Sequence, residues 1–545
     1  MNFKIIFLLV SILTVATVLR FYKLTEIPPS LEWDEVATGY DANSILNTGK
    51  DQFGNYLPLS IRSIDDYKPP LYTYMTAVSI KFLGWNDFAV RFPAALLGVL
   101  AILTTFGMTY ELFGKQKLAL LSSLLLAISP WHVNFSRLAL ETNSTIFFTT
   151  CGVWFFLQGL KKGGFLILSA LLIGLDLYLY HNARVFIPLF AMFIVILYFK
   201  NIWRQKTYLV ISFLIISIFV LRLIPIVTSI EGQMRFQGTS MFTNAVPIDI
   251  YSAKINYAMW RQLDNAAGIG IYGKLFHNNY VLYGLRVLKN YLSHFDPNFW
   301  LFTSDYPRHH MPEMGIIYFI ELPLIITGLF FLIKEFNKKG IFLLVIWILL
   351  APISSAVTRD VPHALRSEIF LPTFQISVAA ALLGLVHLLI QHRYIQKFVI
   401  IFAAVIYFLH VSFFLHKFLF IYARETSQDW QYGRKEAVEF TESVLNNYER
   451  IIVSTALDQP HIFWLYYMKY DPVKYLREGG TYSGGWAEVR NRVGKYEFHP
   501  FDFNKRASNG KVLYVGLPKE FSPTTPALKK IYYLNGVEAI WIVEG

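Results

Sequence analysis

Eleven apolar runs, most of them long enough to cross a bilayer as a helix, decide what this chain can fold into. They lie near residues 3–19, 89–112, 118–135, 143–160, 164–181, 185–199, 207–228, 315–333, 340–356, 368–390 and 398–420, the run at 185–199 being the shortest. In hydrocarbon every backbone N–H and C=O must find a partner within the protein, so a run of about 17–25 apolar residues coils into a helix. The expected fold is therefore a polytopic α-helical membrane protein with about eleven transmembrane helices. Composition agrees: 54% of the 545 residues are hydrophobic and 16% are charged, against roughly a quarter charged in soluble domains.

Charge sets the parity of the crossings. One further segment, Pro69 to Leu83, is ambiguous on length alone. If it stays on the surface and Lys4 is cytoplasmic, the basic clusters at Lys115 and Lys117, Lys161 and Lys162, Lys200 to Lys206, Lys334 to Lys339, and Arg393 and Lys397 all face inward, as the positive-inside rule requires. If it spans, all of them move outside. Pro69 to Leu83 is accordingly read as an interfacial helix, with Tyr72 and Tyr74 at headgroup depth. The first run lacks a convincing cleavage site before Arg20 and reads as an uncleaved anchor. The net charge of +12 resides in these short clusters, which suit anionic lipid and give no reason to invoke nucleic acid. Cys151 is the only cysteine, which excludes an intramolecular disulfide and reads as a small buried hydrophobe.

With that parity the outer face of the plasma membrane receives 20–88, the short loop Ser136 to Thr142, the turn His181 to Arg184, the long stretch 229–314, Thr358 to Ser367, and everything after Ile421. The 229–314 stretch is too long for a bare loop, and Ala253 to Leu263 and Tyr280 to Ser293 read as further interfacial helices. After Tyr422 the composition becomes that of a small soluble domain. Asp429 is expected to cap a helix over Gln431 to Asn447, and Arg450 to Ala456, Lys511 to Gly516 and Glu538 to Glu544 are expected strands. The division is a membrane domain, 1–420, and an extracytoplasmic α/β domain, 421–545.

Carboxylates and unusual basic groups gather on that one side. Leu31 to Leu71 holds Glu32, Asp34, Glu35, Asp41, Asp65, Asp66 and Lys68. Asp34 and Glu35 suit a general base whose pKa rises near the membrane surface; their ordinary reading is as helix-capping residues before Val36 to Leu46. Asp66-Tyr67-Lys68-Pro69-Pro70 places an ammonium where a lipid phosphate would sit, or merely an interfacial anchor. Arg137 and Glu141 bound a very short loop, either as an i,i+4 pair or as ionisable groups turned inward for function. His181 and Arg184, Arg308 and His309, and His363 and Arg366 mark three more boundaries, and basic groups converging from several spans suit a phosphate or pyrophosphate; singly, each reads as a snorkelling anchor. No HxxxH or HExxH spacing supports a zinc hydrolase. There is no G-x-x-x-x-G-K-[ST], no G-x-G-x-x-G after an expected strand and no G-x-S-x-G, which speaks against an ATP-driven pump or a serine hydrolase.

The pattern resembles the GT-C glycosyltransferases of family 39, the group of protein O-mannosyltransferases and lipid A aminoarabinose transferases. The resemblance rests on Asp34-Glu35 after the first span, Lys68-Pro69-Pro70-Leu71 before Arg91-Phe92-Pro93-Ala94-Ala95-Leu96, and the Ala139-Leu140-Glu141 loop. It covers the first third of the chain well, and the rest in architecture only. It implies a GT-C fold, a polyprenyl-phosphate sugar donor, acceptor activation by Asp34 beside Glu35, and a lipid phosphate on Lys68. Glu141 stands where the family often has Asp, so a divalent metal on Glu141 and Asp34 is left open and no other cofactor is expected. Tyr67 departs from the acidic residue common in the aminoarabinose branch, which withholds that substrate. Asp429-Trp430-Gln431-Tyr432-Gly433 looks like the WWDYG signature of oligosaccharyltransferases, but Gln431 replaces its aspartate and the helix-cap reading is preferred. The expected function is inverting transfer of a sugar from a polyprenyl-phosphate donor to a lipid, glycan or protein acceptor at the outer face. The alternatives are a lipid or sugar transporter with an extracytoplasmic domain, for which Glu321 within an apolar run also speaks, and an interaction protein of envelope assembly.

Overall fold

The structure is a computed structural model and describes residues 3–63, 66–243, 248–482, 491–506 and 511–545. Asp65, one of the acidic cluster, lies outside them.

Each apolar run becomes helical. In chain order the first ten helices are α1 (Phe3–Phe21), α2 (Trp33–Thr48), α3 (Leu71–Leu83), α4 (Asp87–Phe113), α5 (Gln116–Ala127), α6 (Pro130–Phe135), α7 (Thr142–Gly159), α8 (Gly164–Asp176), α9 (Ala183–Trp203) and α10 (Lys206–Thr228). Among the described residues six helices are long and apolar enough to cross a membrane, or seven if the bent pair Ala364–Phe370 and Thr373–Leu388 is one span. Helices α5 and α8 and Glu321–Glu335 are shorter, at 12, 13 and 15 residues, so six or seven helices of spanning length stand against the expected eleven. The chain is a multi-pass membrane protein.

Local chemistry explains the boundaries. The Asn86 side chain accepts the Ala89 N–H to start α4, which ends at Gly114 with φ 69°, a left-handed residue that closes a helix without a Cβ clash. Between Glu321–Glu335 and Thr373–Leu388 the backbones touch: a Cβ on Gly328 would lie 1.7 Å from the Ser377 carbonyl oxygen. Small residues let membrane helices approach this closely. The helical core is rich in aromatic pairs, such as Trp300 with Phe374 at 5.0 Å.

Helices are found over the stretches 253–263 and 280–293, as Ile248–Ala266 and Asn279–Ser293. Helix α3 packs on α2 and α4, and Tyr72 is fully buried with its hydroxyl donating to the Val90 carbonyl at 3.1 Å. The expectation of Tyr72 at headgroup depth is therefore corrected: protein, not lipid, surrounds it.

The C-terminal region holds a six-stranded mixed sheet in the order β4-β5-β3-β6-β8-β7. Its strands are β3 (Arg450–Val453), β4 (Arg492–Val493), β5 (Tyr496–Phe498), β6 (Val512–Gly516), β7 (Lys529–Tyr532) and β8 (Glu538–Glu544); β1 (Ile61–Arg62) and β2 (Tyr67–Lys68) form a separate antiparallel pair. Strand β3 is parallel to both neighbours, which matches its apolar run Ile451-Ile452-Val453. Three expected strands are found, while β4, β5 and β7 were not anticipated.

One apolar cluster joins this region to the helices. Val36 and Tyr40 of α2, Tyr72 and Val90 pack with Ile451, Ile462, Trp464 and Tyr466. A Cβ on Gly39 would meet Tyr466 at 2.6 Å and Val90 at 2.9 Å, so only glycine lets α2 lie this close to both.

Candidate active site

The site begins at the start of α2. Asp34 and Glu35 occupy its first turn, where exposed N–H groups and the helix dipole favour carboxylates. The two then diverge. Glu35 points inward and is fully buried, its oxygens 2.9 and 2.8 Å from Nε and Nη2 of Arg91 on α4. The Ala139 N–H donates to the same carboxylate at 2.7 Å and the Glu32 N–H at 3.2 Å. Arg91 also donates to the carbonyls of Leu24, Pro28 and Ser30. Glu35 thus ties α2 to α4 and to the 136–141 loop. Arg137 is likewise held within the fold. Its guanidinium donates to the carbonyls of Leu19, Tyr22, Lys23 and Ile27, closing the turn after α1, and it does not line the cavity.

Asp34 faces a cavity of about 240 Å³ lined by Glu32, Asp34, Lys68, Pro69, Leu138, Leu140, Glu141, Tyr180, His181, Tyr306, Arg308, His309, His363, Leu365 and Trp430. Of the residues expected from sequence, Asp34, Lys68, Glu141, His181, Arg308, His309 and His363 therefore converge. Asp66 and Tyr67 sit behind this wall: Asp66 accepts the Tyr67 N–H at 2.7 Å, and the Tyr67 carbonyl lies 3.1 Å from His181 Nε2. Arg184 and Arg366 line an adjoining groove instead.

Two ion pairs dominate the cavity's charge. Lys68 Nζ lies 2.5 Å from Asp34 Oδ1, and Arg308 Nη1 lies 2.9 Å from Glu32 Oε2. Burial works against the Lys68 charge, but Asp34 and then Glu141 outweigh it and hold its pKa above the ordinary lysine value. Burial, followed by repulsion from Asp34, pushes Glu32 up to about 8 despite Arg308. The second oxygen of Glu32 is buried without a hydrogen-bond partner among the described residues.

Trp430 closes one side. Its indole N–H donates to the Tyr422 hydroxyl at 3.1 Å, and its ring lies 5.9 Å from the guanidinium carbons of both Arg91 and Arg308. Gln431 accepts the Trp33 N–H at 2.9 Å, which binds this segment to the start of α2. Left-handed Gln431 (φ 52°) and Gly433 (φ 95°) interrupt the chain, so the helix begins at Arg434 and not under an Asp429 cap. Glu32, Tyr180, Tyr306 and Trp430 were the lining residues missed from sequence. Glu32 carried a signal, two positions before Asp34. So did Trp430, in a motif assigned to a helix start.

The adjoining groove has a volume of about 560 Å³ and is mostly apolar, with Val185 of α9 and Val220, Leu223, Ile224 and Val227 of α10 along its walls. Tyr180 and His181 line both spaces. Arg184 lies 3.2 Å from His181 Nδ1, and Arg366 donates to Thr358 Oγ1 at 2.7 Å. The arrangement suits an amphiphile with an anionic head among Lys68, His181 and Arg308 and an apolar tail against α10.

Residues 67–224 match the family model described as dolichyl-phosphate-mannose-protein mannosyltransferase. Among solved structures, ArnT from Cupriavidus metallidurans bound to undecaprenyl phosphate aligns over 99% of this chain and 98% of its own, with a TM-score of 0.57 at 12% identity. The archaeal oligosaccharyltransferase AglB from Archaeoglobus fulgidus, in complex with an inhibitory peptide and a dolichol-phosphate, aligns over 85% of this chain and 64% of its own, with a TM-score of 0.51 at 15% identity. No curated protein matches the chain by sequence. The chain is a multi-pass membrane protein with the fold of the GT-C glycosyltransferases, and within it residues 67–224 match the mannosyltransferase family model.

Proposed function

We propose that this protein transfers a sugar from a polyprenyl-phosphate donor to a hydroxyl-bearing lipid, glycan or protein acceptor. The observation that carries the reading is the Lys68–Asp34 pair in a cavity that shares His181 with a long apolar groove. A polyprenyl tail fits the groove, and its phosphate fits the cationic side of the cavity. The family model named for a dolichyl-phosphate-mannose enzyme, and an ArnT structure holding undecaprenyl phosphate, support the same donor class.

In the proposed reaction Asp34 accepts the acceptor hydroxyl proton as its oxygen attacks the anomeric carbon. The bond from that carbon to the phosphate oxygen breaks, and Lys68 and Arg308 stabilise the leaving polyprenyl phosphate. A single displacement inverts the anomeric centre. Glu141 adds a second carboxylate for acceptor positioning or for a metal shared with Asp34. We place the membrane domain at 1–420, count about eleven crossings by including the shorter helices, and assign the catalytic loops and the 421–545 domain to the extracytoplasmic side of the plasma membrane.

Reconstituted full-length protein given radiolabelled polyprenyl-phosphate sugars and membrane acceptors should release free polyprenyl phosphate, and Asp34→Asn should abolish that release. Movement of lipid or sugar across the vesicle without transfer, unaffected by Asp34→Asn, would establish the transporter reading instead.

A further inference from the structure

The cavity has a wall whose chemistry differs from its ion pairs. Asp305, His309 and His363 each offer one ligand atom, and these atoms all lie within 4.8 Å of one another. Asp305 Oδ2 is 2.8 Å from His309 Nδ1 and 3.2 Å from His363 Nδ1, and the three side chains are 6%, 6% and 8% exposed. The residues come from two separated segments. Asp305 and His309 bracket the single turn Pro307–His309, and His363 precedes the short helix Ala364–Ser367.

We propose that Asp305, His309 and His363 form a binding site for one divalent transition metal of the zinc type. Two imidazoles and a carboxylate on a buried wall match the ligand set of open zinc sites, which keep a further position for water or substrate. The same set disfavours magnesium and calcium, which take oxygen ligands. Outer partners that fix the ligands are present: the Ala364 N–H donates to Asp305 Oδ2 at 2.9 Å, and Ser304 Oγ donates to Oδ1 at 3.1 Å. Such contacts orient metal ligands. The Tyr306 ring packs at 5.5 Å from His309 and 5.7 Å from His363, holding both imidazoles in place. Because both histidines line the cavity, the open position faces it, where an anionic oxygen or a water can bind. This site is separate from a metal on Asp34 and Glu141, and it stands whether or not the sugar-transfer reading holds.

Metal content decides it without any sugar donor. Full-length protein in detergent, stripped with chelator and equilibrated with Zn²⁺ or Co²⁺, is expected to bind about one ion per chain. Magnesium in excess should not displace it. Asp305→Asn and His363→Ala should lose at least about tenfold in affinity, while Asp34→Asn should bind like the parent. Should His363→Ala fail to fold, His363→Cys provides the second arm: it should retain Co²⁺ and add a sulfur-to-cobalt charge-transfer band, a signature that no purely structural role produces. Absence of stoichiometric binding, or loss of the metal in Asp34→Asn with retention in His363→Ala, overturns the proposal. Metal binding without sugar transfer would count against the proposed function alone, and transfer without metal against this site alone.

Discussion

Lys68 Nζ and Asp34 Oδ1 lie 2.5 Å apart, so a donor phosphate and the Asp34 carboxylate compete for one ammonium. Under the proposed function, a phosphate that draws Lys68 away leaves Asp34 less neutralised and the better base. The two residues should therefore separate kinetically. Lys68→Met is expected to raise the donor KM by at least about tenfold, the loss of one charge-assisted contact. Asp34→Asn is expected to lower kcat by about 10²–10⁴ with a smaller change in KM. Initial rates across donor concentration measure both, and an Asp34→Asn effect confined to KM would make Asp34 a binding group only.

The Glu35–Arg91 pair is fully buried, and its loss should appear in stability. Removing one partner of a buried ion pair costs about 3–5 kcal/mol. Glu35→Gln and Arg91→Met should lower the thermal unfolding midpoint in detergent, with Asp34→Asn close to the parent. An unchanged midpoint in Glu35→Gln would keep Glu35 among the chemical candidates.

Asp41 makes stability depend on pH. It is buried, accepts the Gln52 N–H at 2.9 Å and its amide at 3.2 Å, and is pushed up to about 8 by burial and then by Asp51. An ordinary aspartate in the unfolded chain titrates near about 3.9. Between these values the folded state binds a proton that the unfolded state does not. The stability Asp41 contributes is thus fully present below about pH 4 and is lost as pH rises toward 8. Glu32, also raised, adds the same sign. Unfolding midpoints should fall from pH 5 to pH 8, less steeply in Asp41→Asn and least in the double variant with Glu32→Gln. Parallel curves for parent and variants would contradict this.

Orientation can be read with cysteines, because the native Cys151 is buried. Tyr56, 71% exposed, is expected to react as Tyr56→Cys with an impermeant reagent from outside intact cells. Lys162, exposed beyond the end of α7, should be protected as Lys162→Cys until the membrane is opened. The reverse pattern would invert the assigned topology.

Much of the helical part was legible because apolar runs and basic clusters are local signals. Run length alone could not distinguish a full span from α5 or α8, whose ends are set by tertiary packing. In the sheet region the apolar strands β3, β6 and β8 could be read directly. Strand β7 could not, since Lys529-Lys530-Ile531-Tyr532 lacks an apolar run, although Asn535-Gly536 beyond it marks a hairpin turn, with Gly536 at φ 86°. That Asp34, Lys68 and Glu141 line one cavity was legible in part because they are ionisable groups in polar stretches between apolar runs. Adjacency did not tell Asp34 from Glu35, since neighbouring carboxylates on a helix face different directions. Nor did it show the surroundings of Arg137, whose partners are backbone carbonyls that no side-chain pattern announces. Trp430 reaches the cavity across about 400 residues of sequence, as its carbonyl bond to Ser30 shows, and such a contact has no local trace.

The close seating of Gly39 against Tyr466 and Val90 makes α2 a shared beam: one edge belongs to the membrane helices and the other to the sheet domain. Hybrids between this protein and a fold relative cannot be joined simply at residue 421. The graft must carry 33–48 along with the C-terminal half, or rebuild the seam on both sides, because Asp34, the proposed base, rides on a helix that packs against both.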